Sequence, residues 1–178
     1  ETNLRSHIII DNSASMHYPL MKEMDLQHYN KIGFAVYATA ALLEILKRQR
    51  DAFGLSIYSD ADEYYAPARG NEKHRRMLLE QLQRLLDERS TSVTNTYEVL
   101  HEIAEKIHRR SLIFLFTDMF QSDKKEEELL AALRHLRYNK HEVVLFHTYD
   151  GRHELDFDFD DRPRKYTDVE TGEQIQLF

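Results

Sequence analysis

Apolar and polar positions alternate along this chain in two periods. Ile8, Ile9 and Ile10 form a short, continuous β-branched run closed by a polar cluster. Such a run predicts a strand buried on both faces of a parallel sheet. Asn30 is placed to cap a helix running to about Arg50. Its apolar positions, Ile32, Ala35, Val36, Leu42, Leu43, Ile45 and Leu46 among them, cover a broad face that suits packing on a sheet. Ala52 to Ser59 alternates as a strand, with Phe53, Leu55 and Ile57 on one side. Ala61 to Ala68 contains Pro67 and fits a short antiparallel edge. Asn71 to Arg89 reads as a charged amphipathic helix with Met77, Leu78, Leu82, Leu85 and Leu86 on its apolar face. The basic cluster Lys73, His74, Arg75 and Arg76 reads as a solvated face, because acids flank it and no aromatics interleave it.

A hydroxyl-rich loop, Ser90 to Asn95, leads into a helix from Thr96 to about Arg109, with Val99, Leu100, Ile103, Ala104 and Ile107 at helical spacing. Ser111 to Phe116 is a second strong buried strand. Asp123 is placed to cap a helix through Tyr138, and Glu142 to Tyr149 is the third strong strand. Strands alternating with helices predict an α/β fold with three layers, a mainly parallel central sheet, one short antiparallel edge strand and helices on both faces. Right-handed crossovers place the carboxyl ends of the parallel strands on one edge. The loops at Asp11, Thr94 and Asp118 therefore share that edge. Residues 1–150 form this unit, and 151–178 are expected to be an extended and hairpin extension of it. In that tail, D-F-D-F-D-D suggests an extended segment with phenylalanines packed inward, and a hairpin is expected to turn at Thr171-Gly172.

Composition narrows the function. The chain has 178 residues, 42% hydrophobic and 31% charged, which fits one globular domain with a sizeable core. A net charge of -7 argues against nonspecific nucleic-acid binding. The absence of cysteine excludes disulfides and thiolate metal sites, fits a reducing compartment, and gives a cytoplasmic location as the expectation. No apolar run approaches the ~18 residues of a membrane span. The chain begins at Glu1 rather than Met, so it is expected to be a piece of a longer protein, with room before Glu1 for an anchor or another domain.

Chemistry concentrates at the shared edge. Asp11, Ser13 and Ser15 follow the first strand as D-x-S-x-S, Thr94 stands before a helix, and Asp118 follows a later strand as T-D. Carboxylates and hydroxyls are hard oxygen donors that suit Mg²⁺, or alternatively Mn²⁺ or Ca²⁺, rather than Zn²⁺. The plainer reading of D-x-S-x-S alone is a polar turn after a buried strand. Together, Asp11, Ser13, Ser15, Thr94 and Asp118 resemble the metal-ion-dependent adhesion site of von Willebrand factor A-type domains. Thr91, Thr94 and Thr96 crowd the loop, and Thr94 is preferred because T-N-x-x-E-V-L resembles that family's threonine loop. The glycines often found before that threonine are absent, and the chain reads S-T-S-V.

A closer resemblance spans nearly the whole chain. The start E-T-N-L-R-S-H-I-I-I-D-N-S-A-S-M, the segment T-D-M-F, the strand H-E-V-V-L-F-H and the ending D-V-E-T-G-E are similar to the domain-of-unknown-function family 58. That bacterial branch of the A-domain group is commonly encoded beside MoxR-type AAA+ ATPases. The resemblance implies a non-catalytic, metal-dependent interaction module, an adaptor or co-chaperone for such an ATPase, with a protein partner supplying a carboxylate to the ion.

Other chemistries fit less well. A metal-dependent phosphoryl hydrolase of the haloacid-dehalogenase kind needs a second aspartate two residues after the first. Here Ser13 stands in that place and cannot act as the acid. G-x-S-x-G, G-x-x-x-x-G-K-[ST] and H-E-x-x-H are all absent. His101 and His108, with His135, His141, His147 and His153, read as surface or half-buried histidines rather than a zinc site. Tyr18 and Phe120 are candidates for a binding surface beside the metal loops. A third reading is a structural docking domain without metal.

Overall fold

Period-two alternation in the first strand explains the architecture. The computed structural model describes residues 4–59, 62–88, 96–119, 123–158, 164–167 and 174–177. In β1 (Arg5–Asp11), Ile8 and Ile10 face one core while Ile9 faces another, and all three are fully buried. The run is continuously apolar because both faces are covered. The other elements are α1 (Lys31–Arg48), β2 (Ala52–Tyr58), β3 (Asp62–Arg69), α2 (Glu72–Asp87), α3 (Thr96–Lys106), β4 (Leu112–Thr117), α4 (Asp123–Tyr138), β5 (Glu142–His147), β6 (Arg164–Thr167) and β7 (Gln174–Leu177).

The main sheet has the order β3-β2-β1-β4-β5. All its pairings are parallel except β2 with β3, which is antiparallel. The α/β fold with one antiparallel edge strand is therefore as expected. Val36 and Leu43 of α1 and Leu78 and Leu82 of α2 pack on the face that carries Ile8, Ile10 and Phe116. Val99, Leu100 and Ile103 of α3 and Ala132 and Leu136 of α4 pack on the face that carries Ile9, Ile113 and Leu115. β1 lies between β2 and β4, so the loop leaving it emerges at the middle of the sheet edge, where open α/β folds bind ligands.

Both long helices on the first face start as the sequence indicates. Asn30 accepts from Gly33 N at 3.0 Å, and Asn71 accepts from His74 N at 2.8 Å. Asp123, by contrast, is the first helical residue of α4 rather than a residue before it.

Several side chains depart from the expectations. Met77 is 38% exposed, because it lies at the margin of the buried stripe formed by His74, Leu78, Leu82 and Leu85. His74 belongs to the core rather than the solvated basic face: it is buried, stacks on Phe53, and its Nε2 hydrogen-bonds Phe53 O at 3.0 Å. β5 is the outer strand of the described sheet and leaves Val144 and Leu145 partly exposed. In the tail, Phe157 does not pack inward in an extended segment, and the remainder of that expected segment, Phe159 included, lies outside the described residues. Gly151–Leu155 is a π-helical turn capped by Asp150, and Phe157 is 72% exposed. Beyond it β6 and β7 pair antiparallel, with Thr167 opposite Gln174. The expected turn at Thr171-Gly172 lies outside the described residues.

Not every histidine is a surface residue. His7, His17, His74 and His141 are all buried. His7 sits in β1 opposite Gly54, and a Cβ at Gly54 would meet His7 Nδ1 at 2.5 Å and Ala66 O at 2.7 Å. The glycine makes room for the imidazole inside the sheet. His7 Nε2 is 2.8 Å from Ser56 Oγ, and its ring stacks on Tyr65. Burial, with a smaller contribution from His141, lowers the His7 pKa to about 3.

Candidate metal centre at the sheet edge

The loop after β1 folds on its own first carboxylate. Asp11 Oδ1 accepts from Ser13 N at 2.9 Å, a local turn typical of aspartate. The chain then winds into a 3₁₀ turn, Ala14–His17, which brings Ser15 Oγ within 3.1 Å of Ser13 Oγ. Asp11, Ser13 and Ser15 are all buried. The loop is braced from both sides. Asn12 N donates to Tyr58 O at 2.7 Å, Asn12 Nδ2 donates to Glu63 Oε2 at 2.8 Å, and His17 Nε2 lies 2.9 Å from Asn12 Oδ1. Ser59 Oγ donates to the other oxygen of Glu63.

β4 delivers the second carboxylate. Ile10 pairs with Phe116, so the ends of β1 and β4 are adjacent. Thr117 Oγ1 donates to Asp11 Oδ2 at 2.8 Å, which satisfies that oxygen across the strand boundary. Asp118 follows at once, is 6% exposed, and its carbonyl oxygen lies 3.0 Å from His147 Nε2. Burial, and next the nearby charge of Asp118, push the Asp11 pKa up to about 7, against the opposing hydrogen bonds from Ser13 and Thr117.

The structure therefore gathers Asp11, Ser13, Ser15 and Asp118 at one rim. Thr94, the alternative Thr91, and Phe120 lie outside the described residues. Thr96 opens α3. Tyr18 packs edge-on against His153 near this rim.

Three participants carried little or no signal in the sequence. Thr117 was legible only as the neighbour of Asp118. Lys31, the first residue of α1, is 3% exposed, and its Nζ donates to Asp118 Oδ2 at 2.9 Å and to Glu154 Oε1 at 2.6 Å. A lysine in the first turn of a helix opposes the helix dipole and calls for nearby anions, which was the available clue. Glu154 comes from the π-helical turn, is anchored by Asp150 N at 2.7 Å, and had no distinguishing pattern.

This donor set suits a hard cation. Two buried carboxylates stand at adjacent strand ends and two hydroxyls lie side by side, in a region too buried for water to screen them well. Of the two rim carboxylates, Lys31 pairs with Asp118. Among the described residues no group of three or more His, Cys, Asp or Glu side chains is arranged to hold a metal ion, so any ion at this rim would depend on the serine oxygens. Beside the rim runs a groove of about 340 Å³ lined by Tyr29, Phe34, His147, Tyr149 and Lys31 among others.

A family model described as "Protein of unknown function DUF58" matches residues 1–177. The chain belongs to the DUF58 family. Solved structures place the DUF58 chain among von Willebrand factor A-like folds. The conserved hypothetical protein BatB from Bacteroides thetaiotaomicron superposes with a TM-score of 0.56 at 14% identity, covering 80% of this chain and 65% of BatB. An aerotolerance-related membrane protein from Bacteroides fragilis gives a TM-score of 0.59 at 14% identity, over 98% of this chain and 81% of that one. The PilB minor pilin from Streptococcus sanguinis gives 0.50 at 16% identity, over 65% of this chain and 30% of the pilin. At these identities the likeness is one of fold. A search of the curated proteins returns no match. No helix among the described residues is long and apolar enough to cross a membrane.

Proposed function

We propose that this DUF58 domain is a non-catalytic interaction module that binds its partner through a divalent cation. Asp11, Ser13, Ser15 and Asp118 would hold the ion, with Thr94 as the further ligand that the sequence resemblance suggests, and Mg²⁺ is the favoured ion, with Mn²⁺ or Ca²⁺ as alternatives. The observation that carries this reading is the convergence of Asp11 and Asp118, at the ends of the adjacent strands β1 and β4, with the Ser13–Ser15 hydroxyl pair. When bound, the ion would offer its open coordination to a carboxylate of a partner protein. With hydroxyl donors and few carboxylates, the ion stays electrophilic, while the acidic domain repels acidic partners elsewhere. The sequence likeness to domains encoded beside MoxR-type AAA+ ATPases supports a role as adaptor or co-chaperone for such an ATPase in the cytoplasm.

Titration calorimetry with Mn²⁺ and Mg²⁺ tests the reading. One ion per chain is expected to bind with modest affinity, and the double variant Ser13→Ala, Ser15→Ala is expected to lose most of that heat. Unchanged binding in the double variant would remove the site from this rim. Turnover of a generic phosphate ester, abolished by Asp11→Ala, would replace the adaptor reading with an enzymatic one.

A further inference from the structure

Lys31 is the least expected residue at this rim. Its side chain is 2% exposed and carries an ammonium between Asp118, whose side chain is 4% exposed, and Glu154, at 24%. A lysine is almost never this buried without partners, and here both partners are anions placed for it. α1 fixes its backbone, because Asn30 Nδ2 donates to His17 O at 2.9 Å and Asn30 Oδ1 caps the helix. Glu154 is fixed from the other side by Asp150 N. The ammonium is thus shared between a carboxylate of the candidate metal rim and one outside it.

We infer that Lys31 is a built-in counter-cation that occupies Asp118 in the ion-free domain and sets how readily the rim accepts a divalent ion, with Glu154 as the partner that draws the ammonium away. The inference rests on the metal-binding reading above. An incoming dication and a buried ammonium repel each other strongly where water is scarce. Asp118 can serve the ion fully only when Lys31 leans toward Glu154. The lysine also neutralises Asp118 while no ion is present, so the two-carboxylate rim can fold without one. The two side chains should therefore act with opposite sign. Lys31 lowers ion affinity, and Glu154 raises it by weakening the hold of Lys31 on Asp118. An ammonium that merely orients Asp118 predicts instead that loss of Lys31 weakens the ion. A purely structural ammonium predicts that both variants change melting temperature and neither changes affinity.

Mn²⁺ and Mg²⁺ titration calorimetry on wild type, Lys31→Met, Glu154→Gln and Asp11→Asn separates these outcomes. Lys31→Met is expected to bind the ion about tenfold more tightly than wild type while melting lower without ion, and Glu154→Gln is expected to bind several-fold more weakly. Binding through Asp11 in wild type, with Lys31→Met unchanged or weaker, overturns the role of Lys31 and leaves the metal site standing. No ion in wild type but Asp11-dependent binding in Lys31→Met overturns the metal-binding reading for the wild type while supporting Lys31 as the group that occupies Asp118. No Asp11-dependent binding in any variant overturns both readings. If Lys31→Met does not fold, Glu154→Gln decides alone: equal or tighter binding there overturns the inference.

Discussion

Replacing Asp11 by asparagine is expected to make the ion-free domain more stable above pH 7 and, at the same time, to abolish its response to Mg²⁺. Asp11 is 1% exposed, and burial and the neighbouring Asp118 raise its pKa from the ordinary carboxylate value to about 7. A carboxyl group whose folded pKa lies above its unfolded value favours the folded state while it is protonated. That contribution is complete below about pH 4 and is lost as pH rises through 7. The ion-free wild type should therefore lose stability, on the order of a few kcal/mol, between about pH 4 and pH 8. The asparagine variant carries no charge to repel Asp118. Its amide oxygen can still accept from Ser13 N, and its NH₂ can donate to Thr117 Oγ1 in place of the bond it receives now. Its ion-free melting temperature should then be nearly flat across this window and exceed wild type at the alkaline end.

With Mg²⁺ at about a hundred times its dissociation constant, wild type should gain about 3 kcal/mol and the variant nothing. Melting curves in chelator and in Mg²⁺, from pH 5 to 8.5, check both halves. A variant that melts below wild type at pH 8 in chelator would show that the carboxylate is not in conflict with its surroundings.

The second large effect lies on the acid side. His7 is held neutral inside the sheet, with its pKa lowered to about 3. A histidine whose folded pKa is below its unfolded value stabilises the fold above about pH 6.5. The stabilisation is then lost as pH falls from 6.5 toward 3, because only the unfolded chain takes up the proton readily. Over that window the loss attributable to His7 is on the order of a few kcal/mol. His7→Gln keeps a polar atom for Ser56 Oγ but loses the stacking on Tyr65. It should be less stable than wild type at pH 7.5, and its stability should decline less steeply between pH 6.5 and 4. Urea unfolding at half-unit pH steps measures both slopes. Parallel curves for the two proteins would show that the imidazole does not drive the acid sensitivity.

Both effects bear on what could be read from residues alone. The sheet was legible because Ile8 to Ile10 and Leu112 to Phe116 are apolar at every position, which only a strand covered on both faces requires. Asp11, Ser13, Ser15 and Asp118 were legible because strand order and crossover handedness bring strand ends together. Lys31 and Glu154 were not, because a pairing 123 residues apart in sequence leaves no periodic mark. His74 departs from the basic face that the sequence suggests because periodicity cannot distinguish a buried imidazole bonded to Phe53 O from a solvated one. Phe157 departs from the inward position that the sequence suggests because alternation of acid and phenylalanine mimics a strand, whereas Asp150 caps a helical turn just before it.

All of the functional reading depends on a divalent ion bound among the oxygens of the β1 and β4 loops. Diffraction from crystals of the domain grown with Mn²⁺, recorded at a wavelength where manganese scatters anomalously, locates the ion directly. One anomalous peak is expected within about 2.5 Å of Ser13 Oγ and Ser15 Oγ, with Asp11 and Asp118 bound to it directly or through water. A peak elsewhere on the domain, or a rim without manganese while Lys31 still bridges Asp118 and Glu154, would contradict it.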